Sequence, residues 1–168
     1  MKKFELTNEF ITNMFGTKLF RIRALVEFGD VEAGELGGYV EKESNLGHDD
    51  NAWVYDNAWV YGDAQVSGDA LVYGNARVYG DARVCGNGDY AYAHGFGSVN
   101  RTTTFFRLKD GGVGVRCGCF YGTLAQFRDK IRETHGESAI AEEYLDLAAL
   151  MEKRFRRTGN EQKTEEES

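Results

Sequence analysis

The side chains that titrate closest to neutral pH and ligate soft metals are few in this 168-residue chain: His48, His94 and His135, and Cys85, Cys117 and Cys119. An imidazole takes up a proton near neutrality, which makes each histidine a candidate base. His48 falls in a predicted loop and His94 stands where a repeat elsewhere carries alanine. His135 ends a predicted helix beside Gly136, where interaction with the helix dipole already accounts for it. Cys117 and Cys119 stand two apart on a predicted strand, so both thiols point to one side, and Cys85 or His94 would have to complete a metal set. Structural zinc sites use a wider spacing and a second ligand pair. The expectation is therefore no metal and a small, buried, apolar role for the cysteines. No residue is assigned as catalytic and no cofactor is expected.

The stretch Gly97-Ser-Val-Asn-Arg-Thr-Thr-Thr104 is polar in a way that packing does not demand. Ser98, Asn100, Arg101 and Thr102 form a candidate binding site for a phosphate or carboxylate through charge-assisted hydrogen bonds. The alternative is a loop that satisfies its own backbone through hydroxyl and amide turns. A free nucleotide would further require Arg107 and Arg116 to gather near Arg101.

These residues are positioned by a repeat. Six hexapeptides run without a gap from Asn51 to Gly86, each opening on Asn or Asp, with alanine second and valine fourth. Alanine and valine two apart share one side of an extended segment, and Gly followed by Asn or Asp suits the left-handed backbone of a corner. The array resembles the left-handed parallel β-helix of hexapeptide-repeat proteins. That resemblance implies three hexads per coil and a period of eighteen. On that period Tyr55 stacks on Tyr73, Tyr61 on Tyr79, Trp53 on Leu71 and Trp59 on Arg77, giving two aromatic faces and one polar face. Aromatic faces imply covering, so Trp53, Tyr55, Trp59 and Tyr61 are the candidate oligomer or partner surface. Leu71, Tyr73, Arg77 and Tyr79 complete it. The other reading is strand propensity alone, with Trp59 and Arg77 in a cation–π contact.

The expected fold is mainly β: a short left-handed parallel β-helix with an amino-terminal β cap, a carboxy-terminal β-hairpin and a two-helix hairpin. Residues 1–36 form the cap, where Lys18 to Val26 alternates as a strand paired with Lys3 to Leu6. Residues 37–98 form the β-helix. It includes a degenerate coil edge at Val40 and Leu46, a two-residue excursion near Gly47 and His48, and two worn hexads at 87–98. Residues 99–120 read as a hairpin. Residues 121–156 read as two helices, the first opened by a Thr123–Gln126 capping box and closed by Gly136, the second striped by Ile140, Tyr144, Leu147, Met151 and Phe155. This helical hairpin is expected to cover the open end of the β-helix or to serve oligomerisation. Residues 157–168 are expected to be disordered.

A net charge of -7 and a pI near 5.0 argue against general nucleic-acid binding. No leading apolar stretch resembles a signal peptide and no run is long enough to cross a bilayer. Three cysteines without a pairing pattern fit a reducing cytoplasm.

Leu19-Phe-Arg-Ile-Arg-Ala24, Gly34-Glu-Leu-Gly-Gly38, Glu43-Ser-Asn-Leu46 and the hexad array resemble a family of phage and prophage hexapeptide-repeat (left-handed β-helix) proteins. Gly97-Ser98 with Thr102 to Phe105, and Cys117-Gly-Cys-Phe120 through Thr134-His-Gly136, extend the resemblance. Such proteins are often labelled hexapeptide transferases or polymer-forming proteins. The resemblance implies a non-enzymatic binding protein of the host cytoplasm that self-associates, most simply as a trimer, and antagonises bacterial defence by binding a host protein. One alternative is sequestration of a small charged signalling nucleotide. Another is acyl transfer from a thioester donor, with an intersubunit histidine as base.

Overall fold

The computed structural model describes residues 2–97 and 101–167, with side chains as far as Gly159. The chain divides into two compact units, Met1–Asn87 and Gly88–Ser168. It is mainly β, with a β-solenoid in the first unit and two helices in the second.

In the first unit the hexads make six two-residue strands: β4 (Trp53–Val54), β5 (Trp59–Val60), β6 (Gln65–Val66), β7 (Leu71–Val72), β8 (Arg77–Val78) and β9 (Arg83–Val84). Every repeat alanine and valine is at most 1% exposed, because alternation along an extended segment sends both to the same interior. The strands stack in parallel as β4 with β7, β5 with β8 and β6 with β9, each pair eighteen residues apart. The layer before them is displaced by twenty, with Tyr39 opposite Trp59 and Leu46 bridging Val66, so the two-residue excursion lies in the segment that follows Leu46. Tyr55 and Tyr73 stack with ring centroids 4.7 Å apart, on the same side as the eighteen-residue period requires.

The corners work through backbone geometry. Gly68 has φ of 63°, and a Cβ there would run into the carbonyl of Cys85 in the next layer. Asp56, at φ of 55°, holds the equivalent corner in the first hexad. Corner N–H groups are received by carboxylates from the layer before: Gly62 donates to Glu41 at 2.7 Å, Gly68 to Asp50 at 2.7 Å and Gly74 to Asp56 at 3.1 Å.

A parallel stack must also satisfy the carbonyls of its first full layer. Strand β3 (Leu36–Val40) supplies the N–H of Tyr39 to Ala58, and Glu41 just beyond it supplies Val60. The Asn45 amide donates to the carbonyls of Gly62 and Ala64 at 3.1 and 2.8 Å. The Lys3 ammonium donates to those of Asp50 and Ala52 at 3.0 and 2.7 Å. Strands β1 (Phe4–Thr12) and β2 (Lys18–Ala24) join β3 in an antiparallel arrangement, with Phe4 opposite Ala24. Trp53 lies fully buried against Phe4 and Phe28, and Tyr61 packs with Leu19 and Tyr39.

The second unit is an antiparallel sheet in the order β10 (Tyr90–Phe96), β11 (Arg101–Arg107), β12 (Val113–Cys117) and β13 (Phe120–Thr123). Helices α1 (Leu124–His135) and α2 (Ala139–Glu167) follow it. Thr123 and Gln126 close a capping box at the start of α1, and Gly136 terminates the helix at φ of 59°. Phe105, Val115 and Cys117 meet Phe127, Ile131, Tyr144, Leu147, Met151 and Phe155 in one core.

Three sequence expectations change here. Residues 90–96, read as worn hexads, form strand β10 paired antiparallel with β11, because Tyr90 and Phe96 stand where the repeat's small interior requires valine. The expected hairpin at 99–120 is therefore the middle of a four-stranded sheet. The apolar stripe of α2 packs into the core of its own unit, so that stripe is not free to cover the solenoid or a second copy. Residues 157–167 continue α2, a stretch rich in Glu, Gln and Lys with no proline, all compatible with helix.

Burial of Lys3 lowers its pKa despite the neighbouring Asp50, the mark of a charge held for structure. Replacing Lys3 with Met leaves the buried carbonyl of Ala52 and the half-buried one of Asp50 without their donor and is expected to cost about 3 kcal/mol. Chemical denaturation measures this, and a loss below about 0.5 kcal/mol, the size of a surface effect, would contradict the capping role.

Candidate functional site

A cavity of about 310 Å³ opens in the carboxy-terminal unit. Its position follows from alternation. Along β11, Arg101, Thr103 and Phe105 face the helices, while Thr102, Thr104 and Phe106 face the other way. A bulge between His94 and Phe96 sets Phe96 opposite Arg101. Strand β12 sends Val115 and Cys117 to the helix side. Gly118 and Cys119 form the two-residue turn into β13. With φ of 60° Gly118 fits the first central position of a type II′ turn. A side chain at Gly118 would collide with the Arg101 guanidinium, so this glycine leaves room for the arginine over the turn.

The opposite wall is one face of α1. Phe127, Lys130, Ile131, Thr134 and His135 recur at spacings of three and four and all line the cavity. Phe127 and Ile131 are buried, whereas Lys130 and Thr134 are exposed at its edge. Phe120 and Tyr144 complete an aromatic floor. Phe127 stands edge-on to Tyr144 with centroids 5.9 Å apart and tilted to Phe120 at 5.7 Å. The His135 ring stacks near Tyr144 at 6.0 Å. The cavity thus joins an apolar, aromatic interior to a margin bearing Arg101, Lys130 and His135, and among the described residues no carboxylate lines it.

Below the floor runs a chain of weak hydrogen bonds. The Thr103 hydroxyl donates to the Cys117 sulfur at 3.3 Å, the Cys117 thiol to the Tyr144 oxygen at 3.9 Å, and the Tyr144 hydroxyl to the carbonyl of Phe96 at 3.4 Å. Burial, reinforced by Cys117, pushes the Tyr144 phenol up to about 12. Tyr144 is therefore a neutral donor throughout the physiological range.

Of the four residues predicted to bind a ligand, Arg101 lines this cavity and Thr102 does not. The Thr102 hydroxyl meets His94 Nδ1 at 2.7 Å on the far side of the strand. Ser98 and Asn100 lie outside the described residues. Arg107 and Arg116 do not join Arg101. Arg107 donates to the carbonyl of Phe155 and to the Thr158 hydroxyl, each at 3.0 Å, and Arg116 is buried on the opposite face of β12. Lys130, His135, Cys119 and the aromatic floor were not assigned from sequence. The three-and-four spacing on α1 was the available signal, extending the Leu124–Phe127–Ile131 stripe onto its charged shoulder.

The other candidates have local roles. His48 stacks on Phe4 at 4.3 Å and its Nδ1 accepts the Lys3 N–H at 3.1 Å. It borders a shallow polar groove of about 320 Å³ with Phe28, Asp49 and Asp50. Cys119 lies in a turn rather than on a strand, yet it lines the same cavity as Cys117; the expected buried role holds for Cys117 and not for Cys119 or Cys85, which are exposed. Among the described residues no group of three His, Cys, Asp or Glu side chains is placed to hold a metal. Trp53 and Tyr61, expected on an oligomer surface, are buried within the chain because β1, β2 and β3 cover them. Tyr55, Trp59, Leu71, Arg77 and Tyr79 are half-buried, and Tyr73 is 42% exposed. The Arg77 guanidinium sits 3.9 Å from the Trp59 ring centroid.

Residues 64–78 match the family described as YdcK Beta solenoid repeat. No curated protein matches the chain. No helix among the described residues is long and apolar enough to cross a membrane.

Two measurements probe the site. Cys119 and Cys85 are both exposed, so Cys85 serves as an internal control. The ratio of alkylation by anionic iodoacetate to that by neutral iodoacetamide, read by peptide mass spectrometry, is expected to be about threefold or more higher at Cys119, since Arg101 and Lys130 concentrate anions there; equal ratios would contradict the charge assignment. The second is a spectroscopic titration of wild type minus Tyr144→Phe, expected to show one phenol ionising near pH 12. With the folded pKa above the unfolded 10.0, its stabilising contribution is complete below about pH 10 and is lost as pH climbs towards 12. Ionisation near 10 would show that the ring is solvated.

Proposed function

We propose that this protein is a non-enzymatic binding module whose carboxy-terminal unit holds a small anionic ligand. The reading includes a left-handed β-solenoid of the phage and prophage hexapeptide type, self-associating most simply as a trimer in the host cytoplasm. Sequestration of a small charged molecule, rather than its conversion, is the role that such a module would play against a host.

The observation that carries this reading is the placement of Arg101 and Lys130 at the margin of an aromatic cavity that no carboxylate among the described residues lines. Small-molecule sites are concave, largely apolar and provided with a few convergent polar groups, and this cavity has that character at the small end of the size range. A small charged ligand therefore stands ahead of a host-protein surface, because Trp53 and Tyr61, two anchors of the expected partner patch, are buried within the chain. Acyl transfer ranks below both. Among the described residues His135 has an aromatic neighbour in Tyr144 and no carboxylate that would orient it as a general base.

The test is mass spectrometry of small molecules released by denaturing protein purified at low salt, comparing wild type with an Arg101→Ala/Lys130→Ala variant. An anion recovered near one per chain from wild type and lost from the variant supports the reading. Equal recovery from both contradicts it. Sedimentation equilibrium is expected to give three times the 18.8 kDa chain mass, and a monomer would remove the assembly part of the proposal.

A further inference from the structure

Resting on the anion-binding reading, we infer that the ligand is a small aromatic acid, a ring-bearing molecule with a single anionic head, and not a nucleotide. The cavity separates its chemistry by depth. Its interior offers the faces and edges of Phe120, Phe127 and Tyr144, which suit an inserted ring in tilted or edge-to-face contact. Its margin offers Arg101 and Lys130, which suit a carboxylate or phosphate still partly in water.

The same inventory disfavours a nucleobase. A base buried on this floor would need partners for its ring nitrogens and exocyclic groups, and unpaired polar atoms are costly there. Thr134 is exposed at the edge, and the Tyr144 hydroxyl is already directed to the carbonyl of Phe96 at 3.4 Å. The remaining polar lining groups are Arg101, Lys130, His135 and two thiols, a set rich in donors and poor in acceptors for the exocyclic amino groups of a base. Lys130 retains its freedom to engage a ligand, since its pairing with Glu133 is long, 3.8 Å, and solvent-exposed.

Four probes decide the matter by NMR titration of the full-length protein: phenylacetate, its neutral amide phenylacetamide, acetate and adenosine monophosphate. Phenylacetate is expected to bind at least about tenfold more tightly than either phenylacetamide or acetate, and adenosine monophosphate no more tightly than phenylacetate. The Arg101→Ala/Lys130→Ala variant changes two exposed side chains and is expected to reduce phenylacetate binding about tenfold while leaving phenylacetamide unchanged. Acetate binding equal to phenylacetate, or tighter binding of adenosine monophosphate, would overturn the aromatic-acid assignment while leaving the anion site standing. Phenylacetamide equal to phenylacetate would overturn the anion reading itself, and no binding by any probe would overturn both.

Discussion

Alternation of side chains along extended backbone governs both halves of this protein. In the solenoid it sends alanine and valine inward and the residue between them outward, so that a run of only two paired residues suffices for each strand. In the second unit it divides β11 and β12 into two faces, one carrying Arg101 and Cys117, the other Thr102 and Arg116. Which side chains can meet in the cavity is settled by this parity before any question of affinity arises.

Short strands impose a second requirement. Two-residue strands cannot rely on length for cooperativity, so their ends must be satisfied by specific groups. Lys3 and Asn45 complete the first full layer with side-chain donors, and Glu41, Asp50 and Asp56 receive the corner N–H groups. Part of the acidic composition of the chain is thereby structural. The positive margin of the cavity is a local exception within an acidic chain.

Much of the solenoid was legible in the sequence because its determinants are local and periodic. The inward alanines and valines and the two-residue excursion follow from counting, the period of eighteen and the Tyr55–Tyr73 stack from the resemblance to hexapeptide-repeat proteins, and the Thr123–Gln126 cap and the end of α1 from short-range chemistry. The candidate site was far less legible. It draws on β11, the Gly118–Cys119 turn, α1 and α2, and a bulge near His94 shifts the parity of Phe96 in a way that no spacing rule reveals. The aromatic residues misled for a related reason: periodicity shows that Trp53 and Tyr61 point out of the solenoid, but not that β1, β2 and β3 cover them. Arg101 was found because it stood in an unusually polar stretch, whereas Lys130 looked like an ordinary surface lysine until α1 brought it beside the cavity.

The claim at the centre of this account is that one cavity pairs an aromatic interior with a cationic margin so as to hold an acid. A crystal structure of the protein grown with phenyl phosphate tests it most directly. The account predicts density for the ring packed against Phe120, Phe127 and Tyr144, with phosphate oxygens within hydrogen-bond distance of Arg101 and Lys130. Density at the polar groove beside Lys3 and His48, with the carboxy-terminal cavity holding only solvent, would contradict it.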